Sequence, residues 1–111
     1  MKLKRVVNRD NFYKEYYTAL NGVLKLSKLE LEILSQLSNY KNRGEDILDK
    51  AVRKEIAMKL GITTFNLNNY IGILKDKKMI IIINNKADIN PSVYIEIPED
   101  KYLIEFEFYV R

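Results

Sequence analysis

The fold is decided by residues 53–71, which read RKEIAMKLGITTFNLNNYI in a chain of 111 residues. Ala57 is small enough for a following helix to cross over it, and Gly61 suits the left-handed conformation of a tight turn. Thr63 is a good N-cap for a second helix, because its hydroxyl can accept a hydrogen bond from a free backbone amide. This spacing predicts a helix-turn-helix over about residues 49–77.

Two apolar stripes flank this turn. Asp49 is a good N-cap for the first helix, and Ile62 is placed to fill the space between the two helices. An ordinary helix pair has the same apolar spacing, but it does not need an alanine, a glycine and a hydroxyl cap at these offsets together. We therefore favour the helix-turn-helix. The residues expected to face the core are Val52, Ile56, Ala57 and Leu60, then Leu67, Tyr70, Ile71 and Leu74.

Two more helices are predicted before this motif. The first spans residues 11 to about 21, with Asp10 as its N-cap and Gly22 as its stop signal. The second begins at a capping box in which Ser27 and Glu30 satisfy each other's backbone amides. The polar residues that follow this helix predict a loop.

After Lys78 the apolar period changes from helical to extended. Residues 79–83 predict a strand, residues 84–86 a turn and residues 87–90 a short returning strand, within a wing over about residues 79–97. Val6 and Val7 form a short strand or lie along the core. Further strands are expected at Ile47 and Leu48, at residues 93–97 and at about residues 102–110.

The length of the chain fits one domain, residues 1–111, with a single core. The elements predict an α+β fold: a winged helix-turn-helix with three or four helices, a β-wing and an extra C-terminal strand or hairpin. The chain has no cysteine and no histidine, which excludes disulfides and thiolate or imidazole metal sites. We expect a cytoplasmic protein that is not an enzyme, needs no cofactor or metal, and binds neither a membrane nor a small-molecule substrate.

The net charge of +4 is unevenly distributed. Residues 50–78 carry seven basic and two acidic groups, whereas residues 79–111 carry three basic and six acidic groups. The positive charge therefore lies on the predicted helix-turn-helix, which favours binding to phosphates.

Residues 47–80 resemble the winged helix-turn-helix of small bacterial, plasmid and phage DNA-binding proteins. Over about residues 10–95 the pattern is similar to plasmid replication proteins of the RepL type, whereas residues 96–111 depart from it. The residues that carry this likeness are Phe12 and Leu20, residues 26–37, Ile47-Leu48-Asp49-Lys50, Ile56-Ala57 and Ile89-Asn90-Pro91. The resemblance implies sequence-specific binding of duplex DNA, in replication initiation or transcriptional regulation.

In that family the recognition helix reads base edges in the major groove from its exposed first turns. Carried over to this chain, the base-reading residues are Thr63, Thr64, Phe65, Asn68 and Asn69. Asparagine pairs with adenine through two hydrogen bonds, and phenylalanine or a threonine methyl contacts the thymine methyl, so an A·T-rich duplex is expected. The phosphate contacts that the resemblance implies are Arg53, Lys75, Lys77, Lys78 and Lys86.

Other interpretations stay open. Phe65 among amides also suits a protein–protein contact, and Asp76, on the same helical face, repels phosphate. The alternative function is therefore a winged-helix interaction module or phage structural module that does not bind DNA.

Two patterns near the C-terminus have both a functional and a purely structural interpretation. Asp88 with residues 99–101 has the loose outline of a metal-dependent nuclease, but that spacing is permissive and the second segment also suits a turn, so we discount catalysis. Glu105 and Glu107 alternate with apolar residues. This strand is either a half-buried edge strand or the contact of a homodimer.

Overall fold

Four helices and two separate two-stranded antiparallel sheets make up the part of the chain that the structure describes, so the fold is α+β. In the computed structural model, residues 2–98 and 102–109 are described. No helix within those ranges has the length and apolar character needed to cross a bilayer. The elements are β1 (Lys2–Asn8), α1 (Phe12–Leu24), α2 (Lys28–Asn42), α3 (Lys50–Leu60), α4 (Thr64–Asp76), β2 (Ile80–Ile83), β3 (Lys86–Ile89) and β4 (Leu103–Tyr109).

The start of α1 differs from the prediction, whereas the start of α2 agrees with it. Asp10 is not the N-cap of α1, because it lies inside a short 3-10 turn, Arg9–Asn11, whose own cap is Asn8. At α2, Ser27 Oγ accepts from the Glu30 amide at 3.3 Å and donates to the Glu30 carboxylate at 2.7 Å. The capping box is therefore confirmed.

The end of α1 is set by a side chain and not by glycine. The helix continues through Gly22 and ends at Leu24, and its C-cap Lys25 adopts the left-handed conformation with φ 55°. The Asn21 side chain accepts from the Leu26 amide at 2.8 Å and donates to the Leu26 carbonyl at 3.0 Å. This paired contact turns the chain out of the helix, and the stop predicted at Gly22 is wrong.

The predicted ends of α3 and α4 are confirmed, together with their caps. The Asp49 side chain accepts from the Ala51 amide at 2.8 Å, and the Thr63 hydroxyl accepts from the Asn66 amide at 3.1 Å. Gly61 has φ 67° and ψ 32°, the left-handed conformation that costs least for glycine. The two helices therefore meet through a tight three-residue connection.

β2 and β3 form the predicted hairpin, in which Ile80 lies opposite Ile89. Asn84 and Asn85 make the turn with φ values of 52° and 64°, which asparagine tolerates better than most residues. The hairpin is therefore confirmed, but its turn has two residues and not the three predicted, because Lys86 pairs with Ile83 as the first residue of β3.

The predicted strand at Ile47 and Leu48 is wrong. The Leu48 amide is bonded to the Asp46 carboxylate at 3.0 Å, inside a turn, so it is not available to a sheet. Ile47 is buried in the core instead. The sheet that contains the hairpin has two strands as a result.

The predicted strand at residues 93–97 is also wrong, and the wing expected up to residue 97 is shorter. This segment is irregular and is held by side chains of α1 and α2. Asn42 Oδ1 accepts from the Ile97 amide at 3.0 Å, and the Tyr13 hydroxyl donates to the Ile95 carbonyl at 2.6 Å. These two side chains satisfy backbone groups that a partner strand would otherwise pair.

β1 and β4 pair along all seven residues of each strand, in antiparallel register. Val6 and Val7 therefore lie in a strand, the first of the two alternatives that the sequence left open. The predicted C-terminal strand is confirmed as far as Tyr109. Residue 110 lies outside the described residues, as do residues 99–101 of the nuclease-like pattern.

The core lies where the inner faces of the helices meet the root of the hairpin. Leu60 and Tyr70, which were expected inside it, are only half-buried. The largest fully buried side chains are Tyr13, Tyr17, Tyr40, Phe12, Ile33, Leu34, Leu37, Ile56, Leu67, Leu74, Ile80 and Ile89.

Candidate nucleic-acid interface

α4 turns one face to the core and the opposite face to solvent. The burial of Leu67, Ile71 and Leu74 fixes the rotation of this helix. At 100° per residue, Phe65 and Asn69 lie on the side opposite Leu67. Phe65 is 73% exposed. Asn69 is also exposed, and its side chain has no hydrogen bond to a described residue.

The first turn of α4 is accessible as well. Thr63, Thr64 and Asn68 are all exposed, so the five predicted base-reading residues lie at the surface. The Thr63 hydroxyl already accepts the Asn66 amide as the helix cap, which leaves it a donor for other contacts. The described part of β4 does not cover this surface.

A cationic groove lies between the N-terminal halves of α3 and α4. Its lining consists of Lys50, Arg53, Lys54, Thr64 and Asn68. The three cations occur at spacings i, i+3 and i+4, which places them on one side of α3. Of these three cations only Arg53 was predicted as a phosphate contact, although the same spacing indicates Lys50 and Lys54. The positive end of the α4 dipole adds to the positive potential of the groove.

Arg53 connects the two helices through the groove. Its Nη1 donates to Asn68 Oδ1 at 3.0 Å. Arg53 is half-buried as a residue, and its Nε–H is buried without a hydrogen-bond partner among the described residues. Arg53 and Asn68, predicted as separate phosphate and base contacts, are therefore one hydrogen-bonded pair.

The acidic residues near α3 lie on another side of the helix. Asp49 and Glu55 line a separate depression with Glu45 and Asp46. The Tyr40 hydroxyl donates to the Glu55 carboxylate at 2.7 Å. These carboxylates do not line the groove, so its cations are not neutralised from within it.

The predicted phosphate-binding lysines after residue 74 differ in their surroundings. Lys75 and Lys78 are exposed and have no ion-pair partner among the described residues. Lys77 forms an ion pair with the buried Glu30 and donates to the Lys25 carbonyl at 3.4 Å. The Lys77 ammonium holds the pKa of Glu30 below its usual range. Lys77 is therefore already engaged inside the fold.

Lys86 lies at the start of β3, away from the cationic groove. Its ammonium pairs with the Asp46 carboxylate at 3.3 Å, and both side chains are exposed. The pKa of Asp46 is lowered first by the hydrogen bond from the Leu48 amide and then by Lys86. An exposed pair of this kind is weak, so a phosphate can replace the carboxylate at little cost.

Comparison with known proteins gives no match. No family model, curated protein or solved structure is similar to the chain. The expected resemblance to winged helix-turn-helix proteins therefore rests on the sequence pattern, and the α+β fold is compatible with it.

Proposed function

We propose that the chain is a winged-helix protein that binds duplex DNA, with α4 in the major groove and the β2–β3 hairpin as its wing. The observation that carries this proposal is the outward face of α4, where the Phe65 ring and the free Asn69 amide adjoin a groove lined by three cations. α4 has 13 residues. It is about 20 Å long and about 10–12 Å wide, which suits a major groove about 12 Å wide.

The chemistry of the outward face favours A·T-rich sequences. Asn69 has a free carboxamide, which can donate to adenine N7 and accept from adenine N6. Phe65 and the Thr64 methyl group are apolar contacts of the kind that recognise the thymine methyl. Thr63 contributes a hydroxyl donor at the helix N-terminus.

The cations at the two ends of α4 provide phosphate contacts. Lys50 and Lys54 flank its first turn, Lys75 lies in its last turn and Lys78 follows its end. With a rise of 1.5 Å per residue, the two groups lie about 16 Å apart along the helix. Lys86 adds a contact from the wing. Lys77 is left out of this proposed set because Glu30 binds its ammonium.

The proposed role is replication initiation or transcriptional control for a plasmid or phage, in the cytoplasm of a bacterial host. This part of the proposal is supported by the resemblance of the helix-turn-helix and its flanking helices to RepL-type proteins. DNA binding itself is supported independently, by the charge and exposure of α4 and the groove.

A second candidate is a winged helix that binds a protein and no DNA. Phe65 and Met58 are 73% and 74% exposed, and side chains of this kind suit a contact with an apolar partner surface. Asp76, exposed at the end of α4, also favours this alternative, because it repels phosphate.

Selection from a random duplex pool, followed by fluorescence anisotropy, separates the two candidates. We expect a defined A·T-rich site for the wild type. Asn69→Ala is expected to weaken binding to that site by about 1–3 kcal/mol, because the paired hydrogen bonds to adenine are lost. The matched control is Asn66→Ala, another exposed asparagine of α4 that does not lie opposite Leu67.

Equal losses in Asn69→Ala and Asn66→Ala contradict the assignment of the outward face to the major groove. Failure to select any duplex contradicts DNA binding itself and leaves the protein-interaction module as the explanation of the exposed apolar residues.

A further inference from the structure

We propose that Arg53 determines the base specificity of this protein by acting through Asn68, and not by contacting a phosphate. The inference rests on the proposed DNA binding and refines it. In this arrangement Asn68 presents hydrogen-bond donors to the DNA, so it recognises an acceptor on a base edge, such as guanine O6 or N7 or thymine O4. Asn69 then remains the amide that is free to pair with adenine.

The hydrogen bond between the two side chains fixes the orientation of the Asn68 carboxamide. Arg53 Nη1 donates to Asn68 Oδ1 at 3.0 Å. A guanidinium carries only donors, so the oxygen of the amide must face Arg53. The Nδ2 group is attached to the same planar carbon and therefore points to the other side. A flip of the amide would place two donors against each other.

A fixed amide has different recognition properties from a free one. Recognition of adenine requires an asparagine to turn both its oxygen and its nitrogen to the same base edge. Asn68 has its oxygen held by α3, whereas Asn69 has no such contact. Two neighbouring asparagines of α4 therefore differ in what they offer, and Arg53 is the cause of that difference.

The surroundings of Arg53 indicate that it is not placed there for stability alone. Its Nε–H is buried without a partner among the described residues, and a buried donor without an acceptor is unfavourable. Lys50 and Lys54, its neighbours in the groove, are exposed and have no such constraint. Among the described residues the Arg53 side chain makes one hydrogen bond, to Asn68, and this bond explains its geometry.

The test compares the base preferences of Arg53→Met, Asn68→Leu and the double variant by selection from a random duplex pool. Methionine keeps most of the length of the arginine stem and removes its donors. We expect Arg53→Met to lower the preference at one base pair by about tenfold, the scale of one lost base contact. Asn68→Leu should remove the preference at that same base pair, and the double variant should equal Asn68→Leu.

Lys54→Met is the matched control, since Lys54 is a cation on the same helix that lines the same groove. We expect Lys54→Met to weaken binding to all duplexes by the same factor. A uniform loss in Arg53→Met, or a change at a base pair unrelated to Asn68, overturns the inference and makes Arg53 a phosphate contact. If the wild type selects no sequence, the proposed function fails together with this inference.

Asn68→Asp tests the same idea without altering Arg53. The carboxylate keeps an acceptor for Arg53 but offers the DNA only acceptors. We expect the preference to change toward a donor on the base edge, such as cytosine N4. An unchanged preference overturns the inference. Circular dichroism shows which variants are folded, and this variant decides the question if Arg53→Met does not fold.

Discussion

The ammonium of Lys77, at the end of α4, lies against the carboxylate of Glu30 in the first turn of α2. The carboxylate is buried and also accepts from the Ser27 hydroxyl at 2.7 Å. One charged group thus caps α2 and joins it to α4. Because the rotation of α4 sets which residues face outward, this ion pair supports the candidate interface without touching it.

Lys77→Met is expected to lower the free energy of unfolding by about 1–2 kcal/mol at pH 7, measured by urea denaturation. This loss arises because the buried Glu30 carboxylate no longer has its charged donor. The loss is limited because the lysine is partly exposed to solvent. Lys75→Met is the control, since Lys75 is exposed and has no partner among the described residues. Equal effects of the two substitutions contradict a structural role for Lys77.

The effect of Lys77→Met should depend on pH in the acidic range. Lys77 lowers the folded-state pKa of Glu30 below its unfolded value of 4.5. The stabilisation is therefore full above that unfolded value and is lost as the pH falls through the folded-state pKa. We expect the difference between wild type and Lys77→Met to shrink below about pH 4. A difference that stays constant down to pH 3 contradicts this coupling.

The segment between β3 and β4 takes its conformation from helix side chains. Asn42, at the end of α2, accepts from the Ile97 amide and donates to the Ile97 carbonyl at 3.4 Å. Tyr13 of α1 binds the Ile95 carbonyl in the same segment. The chain can therefore reach β4 without forming another strand.

Asn42→Ala is expected to speed hydrogen exchange of the Ile97 amide by at least about tenfold, because that amide loses its acceptor. Asn39→Ala is the control, a substitution of the same type on the same helix. The amides of β2 and β3 should keep their exchange rates in both variants. Unchanged protection at Ile97 in Asn42→Ala contradicts the proposed contact.

The elements that the sequence predicted well are those with local signals. The caps Asp49 and Thr63, the left-handed Gly61 and the pair Asn84-Asn85 each act on residues only a few positions away. Two other features depend on contacts between distant parts of the sequence. They are the pairing of β1 and the side chains that hold residues 93–97. Their partners lie tens of residues away, and periodicity contains no information about them.

The same distinction explains the candidate site. Arg53, Thr64 and Asn68 were each predicted, but sequence did not indicate that they line one groove or that two of them are hydrogen-bonded. Lys77 was assigned to the DNA backbone because its partner, Glu30, is 47 residues away in sequence. A charge can be counted from the sequence, but its pairing depends on the fold.

The β1–β4 ribbon bears on the assembly of the protein. Val6 and Leu103 are 61% and 58% exposed, although both lie in paired strands. Two-stranded ribbons are marginally stable alone, and regulators of this size commonly contact two DNA half-sites as dimers. Of the two interpretations of the C-terminal strand, we therefore favour a homodimer contact formed by the ribbon.

Light scattering of the purified protein is expected to give twice the mass of one chain, 13.1 kDa. The variant Val6→Lys should be a monomer, because the lysine places a charge in the contact between the two copies. The new lysine lies opposite Glu105, so the pairing within the ribbon is kept. Val23→Lys, on α1, is the control and should leave the dimer intact. A monomeric wild type contradicts the prediction of a dimer. A dimeric Val6→Lys variant contradicts the placement of the dimer contact on the ribbon.

The salt dependence of duplex binding tests the proposed function most directly. About five phosphate contacts per domain predict that log K falls with log salt with a slope of about −4 to −5. We expect that slope for the wild type on a random-sequence duplex, measured by fluorescence anisotropy between about 50 and 200 mM salt, a range over which the Debye length falls about twofold. A slope near zero, or no binding at the lowest salt concentration, contradicts the assignment of α4 and its cations to DNA.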